Sequence, residues 1–143
     1  MIRAFERADT PAVLDLVREL RAESPLHRNL TFDPDHVARI INSFTVRGWV
    51  CEAQGALRGA CFATVVPSLL GPDRICTDLS VFVRKPYRNG LIAARFLRAM
   101  HDYGRELGCT QWQHVVSTGS PAIDRMYERF GYVRTGSAFV KQA

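Results

Sequence analysis

The order of apolar and polar positions along the chain predicts alternating strands and helices. The clearest helix begins near Asn89 and runs to Gly108, with apolar residues at positions 92, 96, 100, 103 and 107, because this spacing places them on one helical face. Strands are predicted where β-branched and aromatic residues cluster between turn signals. They cover residues 2–6, 49–53, 56–66, 79–83, 110–117 and 133–141.

Three further helices are predicted where a polar capping residue precedes a proline. These pairs are Thr10-Pro11, Asp33-Pro34 and Ser120-Pro121, and proline is favoured in the first turn of a helix. The Gln54-Gly55 pair joins two strands as a hairpin, and Gly131 ends the last helix. The predicted order is β-α-α-β-β-β-α-β-α-β. It indicates an α/β (α+β) fold with a mixed central sheet and helices on both faces.

Length and composition narrow the class of protein. The 143 residues fit a single domain over positions 1–143. The sequence has no apolar run long enough for a membrane span and no secretory signal, so we expect a cytoplasmic protein. Its four cysteines, at 51, 61, 76 and 109, lack metal-site spacing, so they are expected to be buried free thiols, with no metal. The net charge of +5 favours an anionic ligand.

The segment from strand 79–83 into the long helix has the features of an anion site. A turn at residues 84–90 contains Arg84, Lys85 and Arg88, which add positive charge. The first N–H groups of a helix lack internal partners and carry partial positive charge, so they can bind a phosphate. Gly90 and Ala93 leave the backbone open to a ligand. An ordinary basic surface turn has the same local pattern.

This segment resembles motif A of the GNAT superfamily of acetyl-CoA-dependent N-acetyltransferases. The family signature is R/Q-x-x-G-x-G/A, in which Arg88 fits the first position and Ala93 the last, while Leu91 replaces the middle glycine. The resemblance implies that backbone groups of the preceding strand bind the pantetheine arm and acetyl group, and that amides of the turn bind the pyrophosphate. The residues concerned are Val81, Phe82 and Val83, then Arg88, Asn89, Gly90, Leu91, Ile92, Ala93 and Ala94.

Residues 120–131, with sequence SPAIDRMYERFG, resemble motif B of the same family. Ser120 takes the position of a polar residue, often Asn, and is assigned to the cofactor site. Tyr127 stands where the family carries a tyrosine that donates a proton to the departing thiolate of CoA. The two motifs, with one strand between them, and the order of the elements extend the resemblance over the whole chain.

A general base for the attacking amine is harder to assign. The candidates are His114, Asp78 and Glu52. His114 is preferred because histidine ionises near neutral pH, whereas Asp78 is offset by one residue from the carboxylate position of some family members. A strand histidine with an ordinary hydrogen bond is the alternative for His114.

The resemblance implies an N-acetyltransferase that moves an acetyl group from acetyl-CoA to a primary amine. The expected acceptor is a small molecule or a peptide, in a pocket near His27, Arg28, Phe32 and Trp112. Neither nucleic acid nor a membrane is expected as a partner. Family members are often homodimers, so a homodimer is possible here. A non-catalytic acyl-CoA-binding domain on the same fold is the main alternative. A nucleic-acid binder using the basic turn ranks last, because no helix-turn-helix or stacked-aromatic signature accompanies it.

Overall fold

The computed structural model describes residues 1–117 and 120–143. Five strands lie side by side in chain order, and all neighbours are antiparallel except the last two, which are parallel. The strands are β1 (Ile2–Ala4), β2 (Val46–Ala53), β3 (Ala56–Pro67), β4 (Arg74–Val83) and β5 (Gln111–Gln113). The helices are α1 (Thr10–Glu23), α2 (Pro34–Ile41), α3 (Leu91–Glu106) and α4 (Pro121–Arg129).

Apolar layers cover both faces of the sheet. Successive residues of β2 alternate between them, since Trp49 packs in the layer of α3 whereas Val50 packs in the layer of α1 and α2. Phe96 and Met100 of α3 are completely buried, as the helical spacing predicts. The α/β class and the mixed sheet with helices on both faces are therefore confirmed.

The hairpin between β2 and β3 is confirmed. Gln54 and Gly55 have φ angles of 53° and 73°, so both turn residues are left-handed, as a two-residue hairpin turn with the strand twist requires. The hairpin supplies the centre of the sheet, and β3 carries an unbroken buried run from Gly59 to Ala63.

β4 bends away from β5 after a short parallel ladder. Phe62 pairs with Ser80 and Ala63 with Asp78, so Leu79 is an extra residue in β4, and such a bulge bends a strand. Pairing with β5 covers only Ile75–Thr77. Of the predicted strand 110–117, only three residues are therefore paired, and the chain after Gln113 separates from β4.

The predicted last strand, residues 133–141, is wrong. Among the described residues, 133–143 pair with no strand, and Val133 and Phe139 are 80% and 94% exposed. The physical reason is the short length of the strand with which it would pair. The edge strand β5 has only three residues, so it offers a nine-residue strand few backbone groups for hydrogen bonds.

The helix starts follow the capping pattern with one exception. The Asp33 carboxylate accepts the N–H groups of Asp35 and His36, and the Ser120 hydroxyl accepts that of Ile123, as predicted. At α1 the residue before the helix is Asp9 rather than Thr10. The Thr10 hydroxyl instead donates to the carbonyl of Arg7, at 2.7 Å, because a 3₁₀ turn precedes this helix.

The prediction of buried free cysteines is confirmed. All four thiols are unbridged and buried. Burial, followed by the proximity of Cys109 and Asp78, raises the pKa of Cys76 to about 12, so this thiol stays protonated and unreactive. In the part of the chain that the structure describes, no helix combines the length and the apolar character needed to cross a membrane.

Gly104 allows α3 to lie close to β5. A Cβ atom at this position would come within 2.7 Å of Cε2 and 2.8 Å of Cζ2 of Trp112. We expect Gly104→Ala to lower the free energy of unfolding by about 1–3 kcal/mol, because overpacking exceeds the gain in helix propensity. Urea denaturation measures this, with Gly71→Ala as the control, since no atom lies within 4 Å of a Cβ there. An unchanged stability of Gly104→Ala would contradict the packing described here.

Candidate active site

The divergence of β4 and β5 leaves backbone groups of β4 without a partner strand. The N–H of Arg84 donates to the carbonyl of Arg58 on the β3 side, at 2.9 Å. Because bonded positions alternate in an antiparallel ladder, Phe82 also bonds to β3, whereas Val81 and Val83 direct their N–H and C=O groups toward the gap. The Val83 carbonyl accepts from Nε of Arg88, at 2.5 Å. Of the three predicted pantetheine-binding residues, Val81 and Val83 therefore have N–H groups that face the gap.

The start of α3 supplies further free amides at the end of the same gap. Gly90 has a φ angle of 87° and precedes the helix. Asn89 accepts the N–H of Leu91 through its side chain, at 3.1 Å, and the N–H of Ala94 bonds to the Gly90 carbonyl, at 3.0 Å.

Other amides in the predicted pyrophosphate loop are also bonded, since those of Arg88 and Asn89 donate to carbonyls of the preceding turn. Within residues 1–117 and 120–143, the loop amides without a partner are those of Gly90, Ile92 and Ala93. Three adjacent donors at a helix N-terminus can bind one anionic group.

The basic turn is held by acidic residues of α1. Arg84 pairs with Glu19 at 2.9 Å and Arg88 with Glu23 at 2.6 Å. The two carboxylates offset the positive potential that the sequence predicts for these arginines, because the two glutamates lie one helical turn apart and face the turn. Lys85 is exposed. The arginines thus fix the turn between β4 and α3, and anion binding depends mainly on backbone amides.

His114 lies where the chain leaves β5, and its imidazole is buried beside two predicted site residues. Its side chain is 2% exposed, and Nδ1 lies 3.2 Å from Oδ1 of Asp78. The hydroxyl of Tyr127 lies 3.4 Å from the same nitrogen. Glu52, the third base candidate, binds Arg3 on β1 at 2.9 Å, on the far side of β3. The structure therefore brings together His114, Asp78 and Tyr127, and leaves Glu52 apart.

The end of α4 positions Tyr127 against a second tyrosine. The N–H of Tyr132 donates to the carbonyl of Tyr127 at 3.1 Å, and that of Gly131 to the carbonyl of Glu128 at 2.9 Å. With Gly131 at a φ of 87°, this is a Schellman motif, which folds the following residue back onto the last helical turn. The rings of Tyr127 and Tyr132 lie 5.2 Å apart, edge to face.

Sequence reasoning missed Tyr132 and His101. The hydroxyl of Tyr132 and Nε2 of His101 lie 2.7 Å apart, and the Tyr132 ring contacts that of His114 at 5.0 Å. The Gly131 cap was the available signal, because it predicts contact between the residues on either side of it. Asp78, His101, His114, Tyr127 and Tyr132 are called the polar cluster below.

Burial keeps the phenols of the polar cluster protonated. Desolvation raises the pKa of Tyr127 well above its ordinary value, and Asp78 and Tyr132 add to the shift. Desolvation raises the pKa of Tyr132 in the same way, with smaller contributions from Cys76 and Asp78. A phenol with a raised pKa carries its proton at neutral pH and can donate a hydrogen bond.

The structure gives contacts for two of the predicted acceptor-pocket residues. Trp112 packs against α3, where its indole N–H donates to the Met100 carbonyl at 3.3 Å, and its lining role stays a prediction. His27 lies 2.8 Å from the hydroxyl of Ser24, which donates to Ser117 at 2.9 Å. This contact ties the loop after α1 to the chain beyond β5. For His27, Arg28 and Phe32 the lining role stays a prediction, as does the cofactor role of Ser120.

His101 should make stability depend on pH. Burial, then His114 and Arg105, lowers its pKa, and Asp102 opposes the shift. The pKa of His101 is lower in the folded protein than its unfolded value of about 6.5. The stability contributed by the neutral ring is therefore fully present above that pH and is lost as the pH falls through the folded pKa. When the pH is lowered from about 7 to about 5, we expect the unfolding free energy of His101→Asn to fall less than that of the wild type. Urea denaturation at both pH values measures this, and equal losses would contradict the assignment.

Comparison with known proteins gives the family. A sequence model described as an acetyltransferase (GNAT) domain matches residues 45–134, and no curated protein matches the chain. An acetyltransferase from Trypanosoma brucei has a TM-score of 0.78 at 18% identity, covering 100% of this chain and 99% of that one. The aminoglycoside N-acetyltransferase AAC(6')-Iy with a bisubstrate analogue has a TM-score of 0.78 at 15% identity, covering 100% and 97%.

A protein described as a transcriptional regulator from Bacillus halodurans has a TM-score of 0.80 at 17% identity, covering 100% of this chain and 99% of that one. At these identities the structural likenesses concern the fold, whereas the family model matches well over half of the sequence. The chain therefore belongs to the GNAT acetyltransferase family and is an acyltransferase.

Proposed function

We propose that residues 1–143 form one catalytic domain, which transfers an acetyl group from acetyl-CoA to a primary amine by direct attack through a tetrahedral intermediate. The observation that carries the proposal is the position of the Tyr127 hydroxyl, 3.4 Å from Nδ1 of His114, beside the gap between β4 and β5. A proton donor and a proton acceptor then lie together where a thioester would lie.

Free amides along one path support the binding of acetyl-CoA. The N–H groups of Val81 and Val83 face the gap and would hold the pantetheine arm and the acetyl oxygen. Amides of Gly90, Ile92 and Ala93 would bind the diphosphate at the start of α3. Backbone donors fixed by a sheet and a helix stabilise developing negative charge without reorganisation.

Proton transfer is assigned to two side chains of the polar cluster. Tyr127 donates a proton to the leaving thiolate, and its raised pKa means that the phenol is protonated before the reaction begins. His114 accepts the proton of the attacking amine, directly or through water. Both groups are held by buried contacts, so little orientation is lost on reaction.

A small-molecule amine is the proposed acceptor, with a peptide amine as the other class. The fold shared with an aminoglycoside N-acetyltransferase supports the small molecule. Four free buried thiols suit a reducing compartment, so the proposal includes action in the cytoplasm. It includes no nucleic-acid or membrane partner, since two arginines of the basic turn are paired with glutamates. A homodimer, expected from the resemblance, is tested by light scattering.

A non-catalytic acyl-CoA-binding domain is the alternative, and membership of an acetyltransferase family argues against it. The likeness to a protein described as a transcriptional regulator favours it. Both candidate functions require binding of acetyl-CoA, but only the acetyltransferase forms an acetylated amine. Acetyl transfer from labelled acetyl-CoA to a panel of aminoglycosides, polyamines and peptide N-termini separates them.

Acetyl-CoA binding should depend on the left-handed backbone conformation of Gly90. At a concentration about 100 times the dissociation constant, the ligand should stabilise the wild type by about 2.7 kcal/mol, which raises the melting temperature. Gly90→Ala should reduce this shift, because a side chain at a φ of 87° strains the loop that presents the free amides.

Gly55→Ala is the matched control, with a φ of 73° and no atom within 4 Å of the added Cβ. We expect it to lower the melting temperature of the free protein and to keep the ligand-induced shift. Differential scanning fluorimetry measures both variants. No shift of the wild type at millimolar acetyl-CoA, or equal shifts in wild type and Gly90→Ala, would argue against the diphosphate site.

Turnover should depend most on Tyr127. We expect Tyr127→Phe to lower kcat by about 10²–10⁴-fold, the usual range for loss of an acid or base, and His114→Ala to lower it less, because water can accept the amine proton. Tyr103→Phe is the control, since this tyrosine is 8% exposed and lies in the α3 layer. Steady-state kinetics with the best acceptor measure all three. Wild-type turnover in both Tyr127→Phe and His114→Ala would reject both roles.

A further inference from the structure

One buried nitrogen of the polar cluster has no partner. Among residues 1–117 and 120–143, Nε2 of His114 makes no hydrogen bond, although its side chain is 2% exposed. An unsatisfied buried polar atom costs about 1–3 kcal/mol, so native proteins usually retain one for a reason. What this nitrogen can do depends on whether it carries a hydrogen.

The two neighbours of Nδ1 compete for that atom. If Nδ1 carries a hydrogen, that hydrogen is attracted to the Asp78 carboxylate, whose Oδ1 lies 3.2 Å from Nδ1, and Nε2 is left with a lone pair. If Nδ1 carries none, it accepts from the Tyr127 hydroxyl and Nε2 carries the hydrogen. An ionised carboxylate can only accept, so Asp78 favours the first arrangement.

The geometry also favours the first arrangement. Oδ1 of Asp78 is the nearer oxygen, in an ion-pair contact 3.2 Å from Nδ1, and a negative charge beside a nitrogen favours a proton on that nitrogen. The Tyr127 hydroxyl lies farther from Nδ1, at 3.4 Å, which suits a weaker contact. The Asp78 side chain is 14% exposed. In the part of the chain that the structure describes, His114 is the basic side chain paired with it, and a nearly buried carboxylate without a partner is costly.

The other groups around His114 are neutral. Tyr127 and Tyr132 keep their protons because burial raises the pKa of each phenol. Burial lowers the pKa of His101, so this imidazole is uncharged at neutral pH. Within the described polar cluster, Asp78 is therefore the charged group that can select the tautomer of His114.

We propose that Asp78 is a positioning residue that holds His114 in its Nδ1–H tautomer, so that Nε2 accepts the amine proton and the Tyr127 hydroxyl proton stays free for the thiolate. This inference rests on the proposed function and adds a role for Asp78, which sequence reasoning offered only as an alternative base. The base and its orienting carboxylate are thereby separate residues.

The protons balance over one turnover. As the C–N bond forms, the amine nitrogen gives a proton to Nε2 of His114. As the C–S bond breaks, its electron pair leaves with the sulfur, which takes the Tyr127 proton. The imidazolium then returns its Nδ1 proton to the phenolate across the 3.4 Å contact. One proton has passed from amine to thiol, and exchange with water restores the Nδ1–H form of the neutral ring.

Nitrogen-15 NMR of the full chain labelled at histidine tests the tautomer directly. Protonated and unprotonated ring nitrogens have well-separated shifts, and the His114 signals are those lost in His114→Gln. We expect Nδ1 protonated and Nε2 unprotonated in wild type. A protonated Nε2 in the neutral wild-type ring overturns the inference, and this measurement requires no variant of Asp78.

Asp78→Asn removes the acceptor-only carboxylate with little change of shape. We expect the His114 signals to move toward the Nε2–H form and kcat to fall by about 10- to 100-fold, with KM for acetyl-CoA within about twofold. Asp78→Glu should restore part of kcat. Asp15→Asn, an exposed carboxylate paired with Arg18, is the control for loss of one charge. An unchanged tautomer or an unchanged kcat in Asp78→Asn overturns the role of Asp78.

The two proposals fail separately. A wild-type protein that acetylates an amine while Nε2 carries the hydrogen refutes the positioning role and leaves the proposed function intact. A protein that binds acetyl-CoA and acetylates no amine refutes the proposed function and, with it, the catalytic use of Asp78.

Discussion

The divergence of two parallel strands is the constraint on which the rest of the structure depends. β4 and β5 share three paired positions, and the extra residue Leu79 bends β4 away. Had the ladder continued, the N–H groups of Val81 and Val83 would be bonded to β5. The gap also lets the chain after Gln113 direct His114 toward Asp78, so one bend creates both a row of free donors and a buried polar cluster.

The elements around the gap are fixed by contacts within the protein. Two arginines of the turn bind Glu19 and Glu23 of α1, which joins one helix layer to the start of α3 at the other side of the sheet. The glycine cap after α4 holds Tyr132 against Tyr127. Preorganisation of this kind limits the entropy lost when a cofactor or substrate binds.

Much of the fold was predictable because its signals are local. Helical spacing, capping residues and the Gln54-Gly55 turn each depend on a few neighbouring side chains. The last strand was not predictable, since a strand requires a partner edge and β5 offers three residues. Leu79 carries no local mark of a bulge, because the extra residue is defined only by the register of two strands.

The candidate site shows the same division between local and long-range signals. The motif around Arg88 and the sequence around Tyr127 each identified one segment of the site. The family resemblance then assigned both segments to the same site. The partners of Arg84 and Arg88 lie 65 positions away along the chain, so the turn was read as more positive than it is. The contact between Asp78 and His114 likewise joins residues on two strands, and no local pattern of apolar positions reports it.

The central claim is that acetyl-CoA lies in the gap between β4 and β5 with its sulfur beside Tyr127. A crystal structure of the protein with bound CoA tests it most directly. The account predicts the diphosphate on the amides of Gly90, Ile92 and Ala93 and the sulfur within about 3.5 Å of the Tyr127 hydroxyl, close enough for direct proton transfer. A diphosphate elsewhere, or a sulfur out of reach of that hydroxyl, would contradict it.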